Sequence, residues 1–178
     1  MKKGYTLVEI LIVVAIVSII SGGIFMSLTS SIQAWDSLGA RTALQLELRK
    51  SILRISDDLR QTSMDQIFSN SDMTTKVSLG GIYTALYFNL PQEIGPTGAI
   101  SWNTIDPVIY TLINGTIIRT RGTTSSDICS SIVSLKFTVL ANDVIRIEVS
   151  GEKVKAVYYG NTTVNATMAS AAAVRNRN

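Results

Sequence analysis

Glu9 is the first acidic residue of the chain, at the edge of a run, residues 10–35, in which no side chain is charged. A carboxylate inside a membrane helix costs roughly 2.5 to 3.5 kcal/mol at the helix centre and persists where it is paired or functional. Glu9 therefore needs a partner, and an ion pair is the chemistry open to it. The remaining candidates are weaker. Asp57 with Asp58, or Asp106 with Asp127, would be the carboxylate pairs for acid–base or metal work. Neighbours on a helix point about 100° apart, so Asp57 and Asp58 do not converge by adjacency and read as a solvated face. Cys129 is the one cysteine and there is no histidine, so the thiol has no evident base and no disulfide can close within the chain. A small, partly buried apolar residue is the better reading of Cys129. Neither a phosphate-binding glycine loop nor a cysteine–histidine cluster is present. The expectation is no enzyme, no cofactor and no metal.

The element that must position Glu9 is a helix. The uncharged run exceeds the ~20 apolar residues needed to cross a bilayer. Lys2 and Lys3 before it place the N-terminus in the cytoplasm and the remainder outside. Beyond the run, Leu38, Leu44, Leu48, Ile52, Ile55 and Leu59 trace an apolar stripe, with Arg49, Asp57 and Arg60 off it. Arg54 and Asp58, four apart, would pair on the solvated face for a few tenths of a kcal/mol. No proline occurs before Pro91, so one helix is expected from about residue 5 to 62, roughly 85 to 90 Å long. Gly22 and Gly23 each lower helix propensity by about 1 kcal/mol relative to alanine. They either loosen the stem or let neighbouring helices approach through small residues.

After a polar stretch, residues 63–75, the pattern turns to short runs rich in Ile, Val, Thr and Tyr. Residues 82–90 read as a strand and 91–98, PQEIGPTG, as a loop. Residues 108–113 and 116–120 flank Asn114-Gly115, the dipeptide of a two-residue hairpin turn. A second hairpin joins 132–140 to 144–150 around Asn142 and Asp143, and 154–159 is a further strand. The tail is ambiguous between helix and strand, with an edge strand near 168–174 preferred. An amphipathic helix against an antiparallel sheet is an α+β arrangement. Of the 178 residues, about 115 follow the stem, enough for one small core.

Trp102, Tyr158 and Tyr159 could bind a ligand, but aromatics in strands more often pack across a core. Asn114, Asn161 and Asn165 begin N-x-S/T triplets, which arise often by chance and are expected to stay largely unmodified. The formal charge is +3, and no strong nucleic-acid or membrane-surface attraction follows from so small a value.

GYTLVE followed by an aliphatic run resembles the N-terminal signature of type IV pilins and type II secretion pseudopilins. The resemblance implies cleavage by a prepilin peptidase after Gly4, on the cytoplasmic side, and N-methylation of the new N-terminus, Tyr5, where phenylalanine is usual. It implies that Glu9 meets the N-terminal ammonium of a neighbouring subunit during filament assembly, which neutralises two charges in a poor dielectric. The implied organisation is a leader (1–4), a transmembrane assembly part of the stem (5–35), an amphipathic part (36–62) and an extracytoplasmic head (63–178). The implied partners are other pilin or pseudopilin subunits, the prepilin peptidase, an inner-membrane assembly platform and the membrane. LRKSILRISDDLRQTS, IVSLKFTVL and the VRNRN ending are similar, more loosely, to J-type pseudopilins and W-type minor pilins, which implies a role at a filament tip or in priming.

Two other readings compete. A conventional signal peptide would be cut near Ser21, Gly22 and Gly23, but Glu9 falls where its apolar core should begin and the pattern continues through Ile24, Phe25, Met26 and Leu28. A singly anchored binding module outside any filament would make Gly4 and Glu9 dispensable.

Overall fold

The computed structural model describes residues 6–96, 99–141, 143–157 and 160–174. It begins with one helix, α1, Leu7–Gln61, of 55 residues, about 82 Å from end to end. Thr6 and Thr62, both extended, bound it as N-cap and C-cap, and no proline interrupts it. Hydroxyl groups in its apolar half turn back on the helix's own carbonyls: Ser18 donates to Val14 at 2.8 Å and Ser31 to Ser27 at 2.8 Å. Such bonds satisfy polar groups that an apolar surrounding could not.

The two halves of α1 differ in what they touch. Large apolar side chains from Leu7 to Trp35 are exposed, whereas Ala40, Leu44, Leu48, Ile52, Ile55 and Leu59 are buried. Leu38 is a correction to the expected stripe, being 57% exposed. The step of six from Leu38 to Leu44 turns the helix by about 240°, which carries Leu38 off the buried face.

Among the described residues eleven strands follow in chain order: β1 Ile67–Phe68, β2 Ile82–Tyr83, β3 Leu86–Phe88, β4 Pro91–Ile94, β5 Ile100–Trp102, β6 Val108–Ile113, β7 Thr116–Arg121, β8 Thr124–Cys129, β9 Ile132–Ala141, β10 Val144–Val157 and β11 Gly160–Ala173. One sheet has the order β1-β3-β6-β7-β8, the second β11-β10-β9-β2, and β4 pairs only with β5. All pairs are antiparallel. The helix lies chiefly on β10 and β11. Its stripe shares one core with Leu86, Phe88, Val108, Tyr110, Ile117, Phe137, Ile145, Ile147 and Val149 from the two sheets. This is the expected α+β arrangement.

Both hairpins form. Asn114 and Gly115 adopt φ of 50° and 74°, the paired positive values of a type I′ turn. The second hairpin is longer than expected, because the run 154–159 continues β10 through Val157 instead of starting a new strand. The edge strand expected near 168–174 is present but starts earlier, as β11 from Gly160, in unbroken register with β10 from Val144–Ala173 to Val157–Gly160. At Gly151 a β-carbon would stand 3.0 Å from Leu44 Cδ1 and 2.9 Å from the Ser131 carbonyl. Glycine there allows the helix to approach β10.

Other strand expectations also need correction. Residues 82–90 form two strands, β2 and β3, which join different sheets. Leu86 and Phe88 turn into the core beside β6, whereas Ile82 remains 67% exposed against β9. Residues 91–94 are a strand, β4, because Pro91 occupies a first strand position where its missing N–H is tolerated. The stretch 124–129, not expected as a strand, forms β8 at the edge of its sheet.

Candidate functional site

Thr6, itself extended, caps α1: its Oγ1 accepts the Glu9 backbone N–H at 3.4 Å while its carbonyl accepts from Glu9 and Ile10 at 3.1 and 3.3 Å. Thr6-x-x-Glu9 is the spacing of a capping box. That spacing is visible in the sequence and marks residue 7 as the helix start. Glu9 is exposed in the first turn, where the helix dipole favours negative charge. Its carboxylate has no hydrogen bond or salt bridge among the described residues. Gly4 and Tyr5 lie outside the described residues.

Gly22 and Gly23 sit on the same helix, about 20 Å along the axis from Glu9. The helix is unbroken through both, and open space surrounds the position of each absent β-carbon. Glu9 and the glycines are thus separate features of one rod and do not form a common pocket.

The densest polar site lies at the other end of α1. Asp58, expected on a solvated face with Arg54, is 5% exposed and faces the core. Its Oδ2 accepts the Tyr110 hydroxyl at 2.7 Å and the Arg119 Nε at 2.6 Å. Tyr110 and Arg119 are register partners on β6 and β7. Burial, with the hydrogen bond to Asp58, pushes the Tyr110 phenol well above its usual range. Burial opposes the Arg119 charge, yet the Asp58 hydrogen bond and charge hold its pKa above the ordinary value. The site is thus a carboxylate–guanidinium pair with a neutral phenol donating to it, a structural tie between helix and sheet.

The other carboxylates stay apart. Asp57 is exposed. Asp106 lines a cleft with Arg119, Arg121, Thr123, Thr124 and Ser126, and Asp127 lines a different one with Glu47, Lys50 and Cys129. Among the described residues no three His, Cys, Asp or Glu side chains are grouped to hold a metal. Cys129 is 6% exposed. Burial and then the Glu47 charge push its thiol up, away from the thiolate. Trp102 is half-buried on β5, Asn161 and Asn165 are exposed on β11, and the side chains of Tyr158 and Tyr159 lie outside the described residues.

The apolar half of α1 is long and apolar enough to cross a membrane and has none of its apolar window buried in the chain. Residues 1–25 match the model of a family described as the prokaryotic N-terminal methylation motif. A search of curated proteins found no match. The match ends close to Gly23, well before the head begins, so it bears on the stem's start and not on the sheets. The chain carries the prepilin-type signal of type IV pilins and pseudopilins, mounted on the long helix and antiparallel sheets of a pilin-like fold.

Proposed function

We propose that the chain is a structural subunit, a minor pilin or pseudopilin, of a type IV pilus-like or type II secretion filament, acting at the tip or in priming. One observation carries the proposal: the residues bearing the methylation motif open a helix whose first half leaves its large apolar side chains uncovered and whose second half buries one face under the head. A chain that leaves so much apolar helix uncovered requires lipid or other helices around it.

In this reading the prepilin peptidase cuts after Gly4 and Tyr5 becomes the methylated N-terminus, with residues 1–4 lost. The part 5–35 spans the inner membrane with its N-terminus cytoplasmic, 36–62 carries the stripe, and 63–178 is an extracytoplasmic head that passes to a periplasmic or cell-surface filament. The lone Glu9 carboxylate finds its partner in the Tyr5 ammonium of an adjoining subunit, which sets the stagger of the stems as they leave the bilayer at the assembly platform. Gly22 and Gly23 are the point at which the stem yields or packs most closely.

The test is intact-mass measurement and N-terminal sequencing of the full chain made with a prepilin peptidase, beside Gly4→Ala and Gly4→Val. A start at Tyr5, methylated, that Gly4→Val abolishes is the expected result. An intact Met1 end supports a membrane-anchored module instead, and a cut near Gly23 identifies a secreted domain.

A further inference from the structure

Arg119 and Arg121 are alternate residues of β7 and so project from the same face of the sheet. The register sets Ser126 opposite Arg119 and Thr124 opposite Arg121 on β8. Together with Thr123 and Asp106 they enclose a cleft of about 450 Å³. The Arg119 guanidinium is fixed through Nε by Asp58 at 2.6 Å. Among the described residues only Asp58 and Tyr110 engage this guanidinium, and its nitrogens are not among the side-chain atoms sealed from solvent without a partner. Arg121 is exposed and likewise has no ion-pair or hydrogen-bond partner among the described residues. A fork held from behind by a buried carboxylate, with a second arginine beside it, is suited to the two oxygens of an incoming carboxylate.

We propose that this cleft is a docking site for an acidic, extended segment of a partner protein, whose carboxylate is gripped by Arg119 and Arg121. The chemistry of the wall selects a peptide over a bare anion. Asp106 repels the second charge of a compact anion such as phosphate but accepts a backbone N–H, and the hydroxyls of Thr123, Thr124 and Ser126 either donate or accept. A lipid headgroup of the chain's own membrane is too distant. The uncharged run ends at Trp35, and Asp58 is about 35 Å farther along the helix, several times the ~8 Å screening length of physiological salt. The proposal stands whether or not the chain enters a filament.

The experiment uses the full chain in zwitterionic detergent micelles and a fluorescein-labelled peptide of alternating glutamate and glycine, followed by fluorescence anisotropy. Inorganic phosphate and an alternating lysine–glycine peptide serve as comparators. Saturable binding of the acidic peptide is expected, weakened about tenfold or more by Arg121→Ala and only partly preserved by Arg121→Lys, which keeps the charge but loses the fork. Asp106→Asn is expected to raise the affinity for phosphate. Because Arg121 is exposed, its variants should unfold at the wild-type temperature, and that is measured alongside. The absence of saturable binding, equal binding by wild type and Arg121→Ala, or phosphate binding that matches the peptide would each overturn the proposal.

Discussion

The Asp58 carboxylate on the stem helix and the Arg119 guanidinium on β7 meet at 2.6 Å, with side chains only 7% and 12% exposed. The contact matters because the helix backbone lies chiefly on β10 and β11, strands of the other sheet. The long side chains of Tyr110 and Arg119 reach across to Asp58 from the five-stranded sheet. One oxygen atom of the helix thereby ties the second sheet to the stem.

Breaking that tie should be expensive. Asp58→Ala leaves a buried guanidinium unpaired and should destabilise the protein by about 3 to 5 kcal/mol. The neighbouring Asp57→Ala, on the exposed face, should change stability by no more than about 0.5 kcal/mol. Urea denaturation of both full-length variants in micelles measures the contrast, and equal effects would mean that Asp58 is solvated after all.

The phenol adds a pH dependence of definite sign. The folded pKa of Tyr110 is raised, so keeping it protonated contributes stability fully present below its ordinary value near 10 and lost as pH climbs above it. Thermal unfolding should show stability falling between about pH 10 and pH 12, with a shallower fall in Tyr110→Phe. That variant should also lose about 1 to 3 kcal/mol at neutral pH, where it deprives Asp58 of a donor.

Two leucines of one helix should behave oppositely. Leu48 is fully buried and Leu38 is 57% exposed. Leu48→Ala should cost about 2 to 5 kcal/mol. Leu38→Ala should leave the unfolding midpoint nearly unchanged, and a comparable loss would place Leu38 back on the packed stripe.

Cys129 should be slow to react. With its thiol buried and its pKa raised by burial and Glu47, maleimide labelling of the folded chain at pH 8 should run about tenfold or more slower than at a cysteine introduced in place of the exposed Ser125. Rates that match would mean an accessible thiolate.

Glu9→Gln is expected to leave cleavage and membrane insertion intact while abolishing incorporation into filaments, since only the carboxylate answers an ammonium. Mass spectrometry of the membrane fraction and of sheared filaments separates the two effects. Normal incorporation would remove Glu9 from assembly.

Some of this architecture could be read from residue order alone, and the reason is physical. The helix announces itself through an unbroken, proline-free run and a repeating stripe, both local properties. Asn114-Gly115 specifies its turn because few dipeptides tolerate two positive φ values. The long pairing of β9 with β10 follows from alternation. Asp58 was not legible, because its partners lie 52 and 61 residues away, and a charged residue beside Ile55 and Leu59 looks solvated until a sheet covers it. β8 was missed because four of its six residues are exposed and its composition is polar. The split between β2 and β3 depends on which sheet each joins, a choice made in three dimensions. The segment that opens the helix was legible for a different reason, since its charges and apolar length are set by a membrane and not by the fold.

The packing of α1 on β11 joins the first element of the described residues to the last of them, with Ser37, Leu38 and Arg41 bordering one shallow cleft with Thr163, Val164 and Asn165. Such closure is entropically slow, because the contacts with the greatest sequence separation must form before the stripe is covered. It also makes the head indivisible during synthesis. Until the residues after Gly160 have left the ribosome, β10 lacks its outer neighbour and the stem lacks its last cover, so a chain truncated before that point exposes apolar surface on both. Folding of the head is therefore a late event, which should follow, not precede, anchoring of the helix that starts it.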